Sequence, residues 1–357
     1  MKRLLIVYNP RSSRAADVKV EVIDKARKLA GFMVGKYEIE KIGLDQNVAN
    51  LAKILKDGDI VLSAGGDATG VIAVNAIMKS GRDVILAVLP YGNFNDLART
   101  LGKGARNRVI SGRVARSRLG RPSCLARKSK RACFSLAQLF GRHGARALIL
   151  GRNLRKPSIN AISELLEVSN YKRLYPLEIW VDEKLIRYAT CYVTIGMMAE
   201  AVQLYDSVRM RRVLKSWWGR YFGSYLYLAG WYFKNRRKKG VLPEFKLNGE
   251  LQPQKTSDYM AVNGKSMARV MKGSDDWNKP HEFRSSTGRF MNFCRLAGMM
   301  AKSMLIEVPG AETRGDVLEF VRPSRVKVQA EGESLVFENA KRIEIRKSSQ
   351  SLKVITG

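Results

Sequence analysis

Residues 60–69 read Ile60-Val61-Leu62-Ser63-Ala64-Gly65-Gly66-Asp67-Ala68-Thr69. A short, nearly continuous apolar run that ends in glycines is the pattern of a buried parallel strand. Paired glycines at its carboxyl end let the backbone approach a ligand closely, and Gly70 to Met78 continues with the composition of a helix. Strand, glycine turn and helix in that order set backbone N–H groups and a helix N-terminus against phosphate in α/β proteins. A carboxylate is an unexpected neighbour for an anion, which makes Asp67 the first residue to suspect of chemistry.

Two further segments repeat the arrangement. Leu4-Leu5-Ile6-Val7-Tyr8 ends in Asn9-Pro10-Arg11-Ser12-Ser13. The run Val84-Ile85-Leu86-Ala87-Val88-Leu89 ends in Pro90-Tyr91-Gly92-Asn93-Phe94-Asn95-Asp96-Leu97-Ala98-Arg99. In one parallel sheet these three loops open at the same edge, where ligands of open α/β folds bind. Between them, Ala15 to Ala30 repeats Val18, Val22, Ala26 and Leu29 at helical spacing, Tyr37 to Ile42 alternates like a strand, and Val48 to Leu55 reads as a second helix. The resulting β-α-β-α-β-α-β order predicts a three-layer α/β domain with a parallel sheet.

The second half of the chain has a different pattern. Tyr175 to Val181, Arg187 to Ile195, Val241 to Leu247, Asp258 to Val262, Asp316 to Val321, Arg325 to Gln329 and Arg342 to Arg346 are short, alternating and bounded by turns. They predict an antiparallel β domain, with Asp182-Glu183 as a hairpin tip. The expected organisation is a nucleotide-type α/β domain over 1–103, a basic insertion over 104–171 and a β-rich domain over 172–357, whose last strand is free to return to the first domain.

Charge and composition narrow the class. The 357 residues carry a formal net charge of +32, and its distribution is uneven. Leu97 to Ser163 contains no Asp or Glu and seventeen Lys and Arg. Such a segment suits an arm for nucleic acid or anionic lipid, and the stretch from Arg99 to Lys156 is the place where nucleic acid would bind. An inserted segment without such a role is the favoured reading. Four scattered cysteines, Cys124, Cys133, Cys191 and Cys294, show no zinc or disulfide spacing. Only His143 and His281 are present, which argues against a histidine-based protease or metalloenzyme. No run reaches the length of a transmembrane helix and no signal peptide precedes the first strand, so the expected location is the cytoplasm, peripheral to the membrane. The aromatic run Trp217 to Phe233 lies between Arg209-Met210-Arg211-Arg212 and Arg236-Arg237-Lys238-Lys239. It suits the headgroup region of an anionic bilayer, and equally a helix buried against the β domain.

The three loops resemble the diacylglycerol kinase catalytic-domain family, the bacterial lipid kinases related to sphingosine kinases and, more distantly, NAD kinases. That family carries Asn-Pro-x-Ser-Gly, Gly-Gly-Asp-Gly-Thr and Leu-Pro-x-Gly-Thr-x-Asn-Asp-x-Ala-Arg loops in this order. The resemblance implies an α/β nucleotide domain followed by an antiparallel β-sandwich, with ATP and acceptor meeting between them. It implies nucleotide contacts from Asn9, Pro10, Ser12, Gly65, Gly66, Asp67, Ala68, Thr69, Gly92, Asn95 and Asp96, and a catalytic part for Asp67. A late Asp-Gly-Glu turn supplies the general base in the family. Here the matching residues are Glu331-Gly332-Glu333, which makes Glu331 the expected base and Glu333 its support. ATP and Mg²⁺ are the implied cofactors, and the metal's protein ligands are left unassigned.

The departures from the family pattern are specific. Ser13 replaces the glycine of the first loop, Asn93 and Phe94 occupy the Gly-Thr positions of the third, and Ile72 stands where many members carry glutamate. Ala68 replaces a glycine; if that position requires a positive φ, alanine costs about 1 kcal/mol. Glu331 is one methylene longer than the family aspartate.

The expected function is that of an ATP-dependent lipid kinase acting on a lipid hydroxyl, diacylglycerol or a similar lipid alcohol, at an anionic membrane surface. The alternatives are a non-catalytic nucleotide- or nucleic-acid-binding protein on a degenerate kinase fold, and a small-molecule kinase of the NAD kinase type.

Overall fold

The computed structural model describes residues 2–12, 14–29, 31–92, 95–102, 171–200, 242–253, 256–267, 271–289 and 310–356, together with Arg212 and Gly230. Of the basic insertion expected over 104–171, residues 104–170 lie outside the described residues and Tyr171 is described; also outside them are Val241, the first residue of the strand expected over Val241 to Leu247, and almost all of the aromatic run 217–233 with its basic flanks.

The N-terminal region follows the predicted alternation. Its elements are β1 (Lys2–Tyr8), α1 (Ala15–Val18), α2 (Asp24–Ala26), β2 (Phe32–Glu38), α3 (Leu44–Ile54), β3 (Ile60–Gly65), α4 (Asp67–Ser80), β4 (Ile85–Pro90) and α5 (Asp96–Leu101). A π-turn over Lys19–Ile23 joins α1 to α2 without interrupting the helical path. Strand β2 begins and ends earlier than the alternation Tyr37–Ile42 suggests. Its parallel register with β1 runs from Lys2↔Phe32 to Tyr8↔Glu38, so the length of β1 sets where it stops. The chain leaves the ladder at Ile39, which sits in the core.

The second region contains β5 (Tyr171–Leu174), β6 (Leu177–Val181), β7 (Lys184–Ala189), β8 (Tyr192–Gly196), β9 (Phe245–Leu247), β10 (Glu250–Leu251), β11 (Thr256–Val262), β12 (Ser266–Met267), β13 (Met271–Lys272), β14 (Phe283–Arg289), β15 (Ala311–Thr313), β16 (Gly315–Ala330), β17 (Glu333–Lys347) and β18 (Leu352–Ile355). The first sheet runs β2-β1-β3-β4-β18-β5. It is parallel from β2 through β18, and β5 closes it antiparallel. The second sheet is antiparallel along β15-β14-β11-β8-β16-β17-β6-β7, with β9 attached to β16 and β10 to β9. This pairing of a mostly parallel sheet with an antiparallel one is the expected fold class.

Two strand expectations change in detail. Arg187–Ile195 is not one strand: β7 and β8 are separated at Thr190-Cys191, whose backbone N–H groups bond a side chain from a distant hairpin tip instead of continuing a ladder. Conversely, Asp316–Val321 and Arg325–Gln329 are parts of the single strand β16, which absorbs the intervening residues as irregular register between Glu319 and Val326. The hairpin tip at Asp182-Glu183 is present, with φ of 46° and 67°, the left-handed pair that a two-residue type I′ turn requires.

Packing explains the layers. On one face of the first sheet, Leu4, Ile6 and Leu62 meet Val18, Val22, Ile23 and Ala26 from the α1–α2 path. On the other, Leu5, Val7, Val61 and Leu86 meet Val48 and Leu51 of α3 and Ala73, Ala76 and Ile77 of α4. Helix α4 is buried from Thr69 to Met78 because a second surface covers it. Asn75 donates to the Tyr188 carbonyl and accepts its N–H, both at 2.9 Å. An all-round apolar helix of this kind belongs in a core, and it fixes the β domain against the helix that follows Asp67. A separate core within the antiparallel sheet gathers Ile179, Val193, Ile195, Tyr259, Phe283, Val328 and Ile343.

Candidate active site

Strands β1, β3 and β4 are parallel neighbours, so Asn9, Gly66 and Tyr91 follow their carboxyl ends on one edge. The loop after β1 is held by its own asparagine: Asn9 Oδ1 accepts the Arg11 N–H at 3.0 Å, and the Ser12 N–H bonds the Asn9 carbonyl at 3.1 Å. Asn9 and Pro10 are half-buried, while Ser12 is exposed. Arg14 bridges this loop to the third one, with its guanidinium 4.9 Å from the centre of the Tyr91 ring.

The second and third loops pack backbone on backbone. A Cβ on Gly92 would lie 2.2 Å from Gly66 Cα, a distance no side chain tolerates. A Cβ on Gly65 would lie 2.3 Å from Thr69 Oγ1, so Gly65 gives the buried Thr69 hydroxyl its place beside the turn. The Tyr91 N–H bonds the Gly65 carbonyl at 2.9 Å. Asn95 adopts the left-handed conformation, φ 56°, which asparagine tolerates better than most residues. Its side chain closes the third loop by accepting the Gly92 N–H at 2.8 Å and donating to the Gly92 carbonyl at 2.7 Å.

Asp67 joins the two loops. Its Oδ2 accepts the Asn95 N–H at 3.0 Å and its Oδ1 the Asp96 N–H at 2.7 Å. Burial pushes its carboxyl up to about 6, and the nearby Asp96 charge adds to the rise. Ala68 is exposed in the first turn of α4 and has no positive φ. The left-handed penalty anticipated for alanine there does not arise. Ile72, one turn on, is buried in the core of the first domain, where a glutamate would need a charged partner.

Asp96 connects the nucleotide-type loops to the β domain. It is buried, and its Oδ1 accepts the Ser266 hydroxyl at 2.6 Å. Four residues further along α5, Thr100 Oγ1 accepts the Lys265 N–H at 3.1 Å and lies 3.4 Å from Cys191 Sγ.

Glu331 reaches the same region from the opposite side. It sits at the β16–β17 hairpin tip with φ 50°, followed by Gly332 at 91°. The side chain turns inward, so Glu331 is only 4% exposed and is no solvated tip. Its Oε1 accepts the N–H of Thr190, the Thr190 hydroxyl and the N–H of Cys191. Desolvation raises its carboxyl to about 7 against the pull of those donors, and the charge of Asp67 contributes. Tyr192 is buried among the three carboxylates, and the charges of Asp96, Asp67 and Glu331 reinforce desolvation in holding its phenol up. Glu333 begins β17 opposite Ala330 and is half-buried.

Asp67, Asn95, Asp96 and Glu331 therefore converge, the loop of Asn9 lies on the same sheet edge, and Glu333 sits across the turn from Glu331. Sequence reasoning did not single out Ser266, Thr190, Cys191 or Tyr192. Each is an ordinary strand or turn residue whose partner is far away in the chain, and no local pattern marks it. Among the described residues no three His, Cys, Asp or Glu side chains are placed to hold a metal ion.

Comparisons with known proteins find likeness in both sequence and fold. Residues 3–121 match the family model described as the diacylglycerol kinase catalytic domain. A Diacylglycerol kinase of Staphylococcus aureus (strain bovine RF122 / ET3-1) is 33% identical over 127 residues, which cover 34% of this chain and 40% of that protein. The Diacylglycerol kinase of Staphylococcus saprophyticus is 30% identical over 127 residues, 34% of this chain and 41% of the relative. The matched stretch thus spans about two-fifths of the relatives' length. The crystal structure of a diacylglycerol kinase from Bacillus anthracis str. Sterne superposes with a TM-score of 0.59 at 13% identity, covering 100% of this chain and 97% of that one. The likeness in structure extends the shared fold to both sheets, and over residues 3–121 the chain is similar to the diacylglycerol kinase catalytic domain.

Proposed function

We propose that this chain is an ATP-dependent lipid kinase that transfers the γ-phosphate to a lipid hydroxyl, with diacylglycerol or a similar lipid alcohol as acceptor. The observation that carries the reading is the meeting of Asp67, Asp96 and Glu331, from three distant segments, beside a backbone crossing at Gly66 and Gly92. Phosphoryl transfer asks little covalent chemistry of a protein and much positioning. The Gly66–Gly92 contact leaves a surface of bare backbone beside the N-terminus of α4, a fourteen-residue helix, and that is where phosphate is favoured. Asn9 and Ser12 on one side and Asn95 on the other would flank the nucleotide.

Glu331 serves as the general base in this reading. Among the described residues all its donors go to Oε1, which leaves Oε2 to take the proton of the acceptor hydroxyl. A carboxyl held near 7 is matched to accepting a proton at neutral pH. Asp67 keeps the second and third loops in register, and Glu333 extends the negative field around the hairpin tip. Mg²⁺ bound with ATP would neutralise charge on the phosphates. Since Mg²⁺ commonly takes only one or two carboxylates and completes its shell with phosphate and water, the few carboxylates here suit it.

Membrane contact is part of the proposal. Among the described residues no helix is long and apolar enough to cross a bilayer, and the strong positive charge favours an anionic surface. The test is incubation with γ-labelled ATP, Mg²⁺ and diacylglycerol vesicles containing anionic lipid, followed by extraction. Label in the organic phase, absent with Asp67→Ala, supports the reading; ATP binding without any labelled lipid, across a mixed lipid extract, rejects it.

A further inference from the structure

Strand β17 begins beside Glu331 and ends in a buried lysine that the chemistry above does not use. Lys347 is 8% exposed. Its ammonium donates to Asn263 Oδ1, to the Asp276 carbonyl at 2.7 Å and to the Glu282 carbonyl at 3.1 Å. An ammonium has three N–H donors and no acceptor, so three oxygens satisfy it completely, and a neutral amine would turn a lone pair toward one of them. The charged groups facing it are Asp276, Lys279 and Glu282. Burial lowers it to about 7.

Asn263 is fully buried. With its oxygen committed to Lys347, its amide nitrogen is aimed at the Thr190 carbonyl, 2.8 Å away, and at the Tyr175 carbonyl, 3.0 Å away. The backbone N–H groups of Asn263 and Gly264 both bond the Cys191 carbonyl, at 2.7 and 2.8 Å. Thr190 and Cys191 are therefore gripped by their carbonyls from the Asn263 side, while their N–H groups and the Thr190 hydroxyl grip Glu331 from the other. A contiguous hydrogen-bonded path runs from the ammonium to the carboxylate.

We propose that Lys347 is a positioning residue for Glu331, acting through the Asn263 carboxamide and the Thr190–Cys191 turn. The lysine fixes which way the amide faces, the amide fixes the turn, and the turn presents three donors to one carboxylate oxygen. Those donors favour the ionised carboxylate, so loosening the turn makes Glu331 harder to ionise. This inference rests on the reading of Glu331 as the base.

The experiment compares Lys347→Met and Lys347→Gln with the unmodified protein; glutamine keeps a donor for Asn263 Oδ1 without the charge. With ATP and diacylglycerol vesicles, Lys347→Met is expected to lower kcat at least tenfold, to leave KM for ATP within twofold, and to raise the midpoint of the acid limb by half a pH unit or more. Lys347→Gln should shift that midpoint less. A second readout needs no turnover: the melting-temperature difference between each protein and its Glu331→Gln counterpart, followed from pH 5 to 8. Its transition should move to higher pH in the Lys347 variants. An unmoved transition in whichever variant folds overturns the inference. A moved transition without lipid phosphorylation by any of the proteins upholds the link between Lys347 and Glu331 and rejects the kinase reading instead.

Discussion

Asp67 accepts the backbone N–H of Asp96 at 2.7 Å, and the two carboxylates thereby belong to one loop junction. The same Asp67 side chain takes the Asn95 N–H, so removing its charge removes two charge-assisted bonds and the tie between the second and third loops. Such bonds are each worth about 1.5–3 kcal/mol. Asp67→Asn keeps the size but offers an amide group to one of two donors. It is expected to lose at least a hundredfold in phosphoryl transfer to diacylglycerol, while melting within about 10 °C of the parent. Activity within threefold of the parent would show that Asp67 is not needed for the reaction.

The glycine at the loop crossing and the alanine beside it give opposite expectations. Gly92→Ala places a methyl group against Gly66 Cα, and backbone has nowhere to yield. A cost of about 1–3 kcal/mol is typical of overpacking, and ATP affinity should fall at least tenfold by equilibrium binding. Ala68→Gly restores the family residue at an exposed helical position. It should cost no more than about 1 kcal/mol through helix propensity and leave kcat within threefold. A large gain in activity on Ala68→Gly would mean that alanine impairs the loop after all.

How much of this was legible in the sequence depends on how local each signal is. The loops after β1, β3 and β4 were legible because a buried strand and its glycine turn are written in consecutive residues. Strand β2 was misplaced because its bounds come from pairing with β1, not from its own alternation. The break at Thr190-Cys191 could not be read from an alternating run, since its cause is the Glu331 carboxylate arriving from a hairpin about 140 residues later. Glu331 itself reads as an exposed turn residue, and only the family resemblance marked it. Ser266, Asn263 and Lys347 carry no local pattern; their importance lies in which buried oxygen or hydroxyl the fold sets beside them.

The raised carboxyls set the direction of the stability profile. Glu331 is held near 7 and Asp67 near 6 in the folded chain, against about 4 when unfolded. Between those values the folded state holds protons that the unfolded state releases, so stability falls as pH rises through about 4 to 7, at up to about 1.4 kcal/mol per pH unit for each such proton. Glu331→Gln keeps the group neutral and removes its share. Thermal melts from pH 4.5 to 8 should show Glu331→Gln gaining on the parent as pH rises, with the gain levelling off above 7. A constant difference between the two proteins would mean that Glu331 is not perturbed. Activity should run the other way, appearing as Glu331 ionises through pH 7.

Ser266 offers the sharpest test of coupling between the two sheets. Its hydroxyl donates to Asp96 at 2.6 Å, and Asp96 lies beside the Asn95 loop that Asp67 holds. Ser266→Ala leaves the shape of β12 unchanged and takes one donor from a buried carboxylate, a loss of about 1–3 kcal/mol. Asp96 then loses the hydroxyl that holds its loop against β12. The expected result is a tenfold fall in kcat, because the Asn95–Asp96 loop loses its tie to the β domain. Ser266→Thr, which retains the hydroxyl, should recover most of the rate if the extra methyl group is accommodated. If alanine and threonine both match the parent in rate, the two sheets contribute to the site independently, and Asp96 needs nothing from β12.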